Sequence, residues 1–205
     1  MQLLTALEPV TPPAAEPVSV AEARLHLRID TFDDDAWLNT SISAARRAYE
    51  TLAERSLIHQ TLRYRLSRFP ADGDDGTDEA LAIVLPIARL SSVTSITYVD
   101  PAGATQTLPG SDYLVDASGQ PGRVTPAYGK AWPACREQPG SVSVTFVAGD
   151  GASASDVDPR DKQAVLMLVG HWYRNREAVI VGTISKHLEF TLRALAAQRW
   201  HGSLG

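Results

Sequence analysis

SVSVTFVAGDGASASDVDPRDKQAVLMLVGHWYRNRE, residues 141–177, changes its repeat half-way along. In its first eight residues Val142, Val144, Phe146 and Ala148 alternate with Ser141, Ser143, Thr145 and Val147, the two-residue period of a strand with one buried face. After the loop 149–157, Asp158-Pro159 supplies a capping carboxylate and a φ-restricted proline, a strong helix start. The helix then carries Ala164 to Val169, apolar on every side. A helix wetted on one face does not need that, so it is either central to a core or covered by a neighbouring chain. A strand period handed on to a helical one makes the class α+β.

Working outward, the two-residue period reappears at the near end of the same block. Leu62, Tyr64 and Leu66 fall on one face, Arg63, Arg65 and Ser67 on the other. Between these two strands lie shorter candidates at 82–85, 92–99, 105–108 and 113–115. Turn signals at Asp100-Pro101-Ala102-Gly103, Ser118-Gly119 and Gln138-Pro139-Gly140 separate them. Together these suggest a small antiparallel β-sheet over residues 62–148, set between helical segments.

The helices flanking the sheet have their own signals. Ser19 and Glu22 form an S-x-x-E capping box for a first helix running through Ala23, Leu25 and Leu27 to about Arg28. Asp33, Asp34 and Asp35 precede a second helix, about 33–55, where carboxylates favour the positive end of the helix dipole. Leu38, Ile42, Ala45, Tyr49 and Leu52 recur at steps of four and three as its buried stripe, widened by Trp37, Ala44 and Ala48. Leu188, Leu192 and Leu195 mark a C-terminal helix, ending before a mobile tail at 201–205. Residues 1–18 hold four of the thirteen prolines and read as an extended arm that orders on a partner surface.

Composition bounds the function. At 205 residues, 44% hydrophobic and 21% charged, the chain can build one sizeable core, or one core with an insert. A lone Cys135 cannot form an intramolecular disulfide, which agrees with a reducing compartment or assembly inside a cell, and its setting WPACREQPG is a loop rather than a nucleophile's. The N-terminus has no basic n-region, and no run of 18 apolar residues occurs, so neither a secretory signal nor a membrane span is expected. Residues 1–161 carry 13 basic and 22 acidic side chains, whereas 162–205 carry 6 and 2, a division from −9 to +4.

A search for chemistry finds none. His26, His59, His171, His187 and His201 have no H-x-x-x-H or H-x-H spacing. There is no G-x-S-x-G elbow, phosphate-binding glycine loop or strand-linked G-x-G-x-x-G. The acidic run Asp72, Asp74, Asp75, Asp78 and Glu79 imitates a calcium loop only in part and lacks its terminal glutamate, so it reads as a solvated loop. No catalytic residue, metal site or cofactor is expected. The cluster Trp172, Tyr173, Arg174 and Arg176 has the composition of a protein interface, or of a helix packed in its own core with Arg174 or Arg176 paired to Glu177 or to an upstream aspartate.

In order, VSVAEARLHLRID (18–30), AYETLAERSLIHQTLRYRLSRFP (48–70), LPIARLSSVTSITYVDPAGATQTL (85–108), YLVD (113–116), GRVTPAYGKAWP (122–133), SVSVTFVAGDG (141–151) and KQAVLMLVGHWYRNRE (162–177) resemble the head-tail connector proteins of tailed bacteriophages. This is the adaptor or head-completion family, found also in prophages and gene transfer agents. The resemblance spans about Val18 to Glu177, and it implies a helical bundle of about four helices, 19–61 and 157–200, that carries 62–148 as a β-rich insertion. It implies a non-enzymatic virion protein at the neck, made in the host cytoplasm, whose copies form a dodecameric ring under the portal protein. Such a ring extends the DNA channel, lets DNA pass without specific binding, and offers a platform to stopper or tail-completion proteins.

On that reading Lys186, Arg193, Arg199 and Trp200 of the basic C-terminal end would meet the portal. Leu166, Val169, Trp172, Tyr173 and Arg176 would serve the core or the subunit interface. The acids Asp72, Asp74, Asp75, Asp78 and Glu79 would face channel or solvent, where an unreactive acidic surface avoids gripping phosphates. The competing readings are a tail-completion protein, a small hydrolase with a site assembled from separated residues, and a regulatory nucleic-acid binder. The last would normally show a denser basic patch.

Overall fold

The computed structural model describes residues 5–71, 81–176 and 186–197. The chain divides into two units, each discontinuous in sequence: Met1–Pro12 with His59–Gly149, and Pro13–Ile58 with Asp150–Gly205. The first is built of strands and the second of helices, so the α+β class holds.

The β unit contains β1 (Thr5–Thr11), β2 (Gln60–Leu66), β3 (Ile83–Val84), β4 (Leu90–Val99), β5 (Thr105–Thr107), β6 (Tyr113–Asp116), β7 (Arg123–Pro126) and β8 (Val142–Ala148). Where one sheet is expected from sequence there are two, both antiparallel. One has the order β1-β2-β8-β4-β5 and the other β3-β7-β6. β8 is central because every second residue is apolar: Val142, Val144, Phe146 and Ala148 are all fully buried. β7 has four residues and ends on Pro126, so it lacks the alternation by which a strand announces itself. Just before it, Gly122 lies so close to Leu90 that a Cβ there would meet that side chain at 2.6 Å. Phe69 stacks on Trp132 at 4.9 Å, and the indole N–H of Trp132 donates to the Leu81 carbonyl at 2.8 Å.

The N-terminal arm differs from expectation. Residues 5–11 need no foreign surface, because β1 pairs antiparallel with β2 from Thr5↔Leu66 to Thr11↔Thr61. Pro9 is tolerated there because β1 is an edge strand, where a missing N–H need not break a ladder. Glu8 on β1 also faces both Arg63 and Arg65 of β2, at 3.3 and 3.0 Å. The remainder of the arm joins the helical unit, with Val18 buried and Glu16 bonded to Arg46.

The helical unit contains α1 (Val20–Leu27), α2 (Asp35–Ala53), α3 (Pro159–Arg174) and α4 (Lys186–Ala197). The Ser19–Glu22 capping box forms in full, and Asp158 caps α3 with Pro159 in its first turn. α1 and α2 end on Arg28 and Glu54 in the left-handed conformation, φ 60° and 50°, where the sequence offers no glycine to mark a stop. Leu38, Ile42, Ala45 and Tyr49 of α2 are buried and Trp37, Ala48 and Leu52 partly so, but Ala44 is exposed. Ala44 shares its arc with Thr40 and Arg47 on the outer side of α2, beyond the reach of the buried stripe.

Of the apolar run in α3, Ala164, Val165, Leu168 and Val169 fill the unit's own core, while Leu166 and Met167 remain half-buried. Two ionic groups sit inside this core. The Tyr49 hydroxyl donates to Asp161 Oδ1 at 2.7 Å, and Arg55 meets Asp161 Oδ2 at 3.4 Å and donates to the Ala196 carbonyl at 3.0 Å. Arg46 lies between Glu16 and Glu50, at 2.7 and 2.6 Å, and Glu50 also accepts the Leu57 N–H at 2.8 Å.

Candidate interaction surfaces

The end of α3 carries the most organised polar cluster outside the core. Trp172 and Tyr173 pack against the helical core while remaining partly exposed. Arg176, two residues past the end of α3, lays its guanidinium over Tyr173 at 4.2 Å and over Trp37 of α2 at 4.5 Å. The two rings meet edge to face at 5.5 Å. Asp34 closes the group, bonding Arg176 at 2.9 Å and accepting the Tyr173 hydroxyl at 2.7 Å. That hydroxyl, and then the guanidinium, hold the Asp34 carboxyl below the ordinary aspartate range. The same hydrogen bond holds the Tyr173 hydroxyl above its own usual value.

Asp34 therefore does not do what the acidic run before α2 suggested. It stands at the N-cap position but makes no capping hydrogen bond, because its carboxylate is turned to α3. Asp35 is turned likewise, to Arg24 of α1 at 3.3 Å. The cluster realises the alternative of an arginine paired with an upstream aspartate, and it leaves one side of Trp172, Tyr173 and Arg176 open to solvent.

α1 supplies a second surface. Only Ala23 of its eight residues is buried, and Leu25 is 82% exposed. Phe32 in the following loop is 69% exposed and carries the Arg24 guanidinium on its ring at 4.2 Å. Sequence reading carries the helix through Leu25 without assigning it a face. With Val20 and Leu27 packed against the core, Leu25 points elsewhere on the helical cylinder. The signal was present in VAEARLHL, whose apolar residues do not line one stripe.

α4 buries Leu192 and leaves Phe190 72% exposed with Arg193 exposed three residues on, one outward stripe. Of the residues expected at a portal contact, Arg193 lies on that stripe and Lys186 begins the helix, while Arg199 and Trp200 lie outside the described residues. The acids Asp72, Asp74, Asp75, Asp78 and Glu79 and the tail 201–205 lie outside them as well. Cys135 is free and rests against the β core. Among the described residues no group of three or more His, Cys, Asp or Glu has a metal-binding arrangement, and no helix is long and apolar enough to cross a membrane.

Comparison with known proteins turns on structure. No family model and no curated protein matches the chain. Solved structures do. One chain from the neck of an empty gene transfer agent particle, computed with C6 symmetry, is 26% identical with a TM-score of 0.72, over 94% of each chain. A chain from the virion of a native gene transfer agent particle is 28% identical with a TM-score of 0.71, over 94% of this chain and 93% of that one. A third, from the neck of a native particle computed with C12 symmetry, is 29% identical with a TM-score of 0.67, over the same shares. The likeness takes in both units and nearly all of each chain, so the whole architecture is shared with components of such particles.

Proposed function

We propose that the chain is a structural protein of the head-tail neck, acting as an adaptor: a ring of copies under the portal that extends the DNA channel and receives stopper or tail proteins. The observation that carries this is the likeness over 94% of the chain to components of gene transfer agent necks, one of them computed with twelvefold symmetry. Work through surfaces rather than bond-making also fits a chain whose organised polar groups are internal ion pairs and helix locks.

A twelve-copy ring is the stoichiometry this reading assigns, formed in the host cytoplasm and carried in the virion. Lys186, Arg193, Arg199 and Trp200 are the proposed portal contacts, with Phe190 beside Arg193 as an apolar anchor on the same stripe. The acids between Asp72 and Glu79 are proposed to face channel or solvent, where they repel rather than hold passing DNA.

Imaging of particles made with this chain tests the reading directly. A symmetric annulus of the chain between portal and tail is expected; particles that lack the chain at that junction overturn it. Truncation after Ile184 is expected to abolish portal attachment and leave the β unit folded, read by co-purification with portal and by circular dichroism.

A further inference from the structure

A ring needs each copy to present two different surfaces that fit one another. Leu25 of α1 is the first candidate. It stands as a ridge between two grooves. One, of about 310 Å³, lies between α1 and α3 and is lined by Glu22, His26, Pro159, Lys162 and Leu166. The other, of about 530 Å³, is lined by Ala21, Arg24, Arg28, Ile29 and Asp30. A ridge with a groove on either side is half of a helix–helix packing, and what it lacks is a second helix.

The outer arc of α2 has the matching form. Ala36, Thr40, Ala44, Arg47 and Thr51 are all exposed and recur at steps of four, four, three and four. Apart from Arg47 these side chains are short, so another helix can approach to the usual axial separation of about 8–10 Å. Arg47 itself forms no ion pair with a described residue.

Charge decides the direction of the fit. If α1 of one copy lies antiparallel on α2 of the next with Leu25 over Ala44, Glu22, three residues earlier, falls over Arg47, three residues later. Both offsets are about 4.5 Å along the helix. Both Ser19 hydrogen bonds to Glu22 end on Oε2, so the cap leaves Oε1 for a further partner. Within its own chain Lys162 is only the last of the influences on that carboxyl. A parallel alignment would set Arg28 over Arg47, like charge on like.

We propose that adjacent copies join head to tail by seating the Leu25 ridge of one on the Ala44 face of α2 of the next, with a Glu22–Arg47 ion pair between copies. The proposal rests on the ring reading above and specifies its contact. Because the two surfaces differ, each copy keeps one free after the first contact, and addition continues until the rotation closes.

The test uses assembled particles carrying L25C and A44C in a C135S background, treated with oxidant. A ladder of cross-linked species rising to the full ring is expected, since the two Cα atoms would lie within disulfide reach. L25C alone and A44C alone are expected to give no cross-link; a dimer from L25C alone would mean a two-fold contact and overturn the proposal. If an annulus of the chain is present but the double variant gives no ladder, the contact is wrong and the ring reading stands. If the chain is absent from the neck, both fail.

Separately, L25D and A44W are each expected to keep the wild-type circular dichroism and melt, both sites being exposed. Each is expected to be excluded from rings, while an equimolar mixture forms pairs that stop at one contact. R47E is expected to lower incorporation about tenfold, and R47E with E22R to recover part of it, the remainder being lost with the capping box. Full incorporation of R47E would remove the ion pair from the proposal.

Discussion

Asp161 is fully buried and engages two neighbours, Tyr49 through one carboxylate oxygen and Arg55 through the other. D161N leaves the Arg55 guanidinium, itself only 4% exposed, without its counter-charge. Removing one partner of a buried pair typically costs about 3–5 kcal/mol, so a loss of this order is expected in urea melts. Glu50 gives a prediction in pH. Burial pushes its carboxyl above the ordinary glutamate value, against the Leu57 N–H and the Arg46 guanidinium, which pull it down. The folded chain therefore holds this proton more tightly than the unfolded one. Its contribution to stability is full below the ordinary glutamate pKa and is lost as pH rises through the folded value. The stability of wild type relative to E50Q is thus expected to fall as pH rises from the ordinary glutamate value through the raised one; a rise would contradict the assignment. Asp34 carries the opposite sign. Its depressed carboxyl stabilises above the ordinary aspartate pKa, and that contribution is lost as pH falls through the folded value. Y173F removes the larger cause, so its deficit against wild type is expected to shrink on acidification. Glu50 stands four residues from Arg46 on one helix, a spacing that is visible in sequence, but Asp161 and Asp34 do not declare their partners. Asp161 and Tyr49 are 112 positions apart, and an aspartate before a helix reads as a cap until α3 is seen to claim it.

Elements were legible where a local pattern and a local cap agreed. α1 opens on a capping box, and S19A is expected to cost about 1 kcal/mol, checked by thermal melting. The start of α3 and the face of β8 were readable for the same reason: Asp158-Pro159 and the alternation from Val142 to Ala148 are complete within a few residues. F146A in that central strand is expected to cost about 3–5 kcal/mol. What stayed hidden depends on partners distant in the chain. β1 looked like a free arm because its partner, β2, follows two helices later. The division into two sheets follows from Ile83 pairing with Val124, a register that no short window contains. The exposure of Leu25 is visible only once the other faces of α1 are filled.

At the level of the molecule, the buried apolar side chains fall into two clusters, one for each unit. Leu168 belongs to the first and Phe146 to the second. L168A and F146A are therefore expected to be additive in a double variant to within about 0.5 kcal/mol, measured in urea; a larger discrepancy would reveal coupling between the units. The candidate surfaces are not shared out in this way. The Leu25 ridge, the outer arc of α2 and the Phe190–Arg193 stripe all belong to the helical unit, and only their chemistry, not their position, could be read beforehand.

The two units also alternate along the chain. The chain leaves the sheet after Pro12, builds two helices, returns at His59 for seven more strands, and leaves again after Gly149. During synthesis β1 leaves the ribosome long before β2 exists to receive it, and α2 long before α3. Neither half can mature while the nascent chain is short, and the helical half must wait for α3 and α4. A gene fragment encoding only 59–149 would yield a sheet whose β2 edge is bare and prone to self-stacking. Joining Thr5–Thr11 to it through a linker is the repair this interlacing calls for.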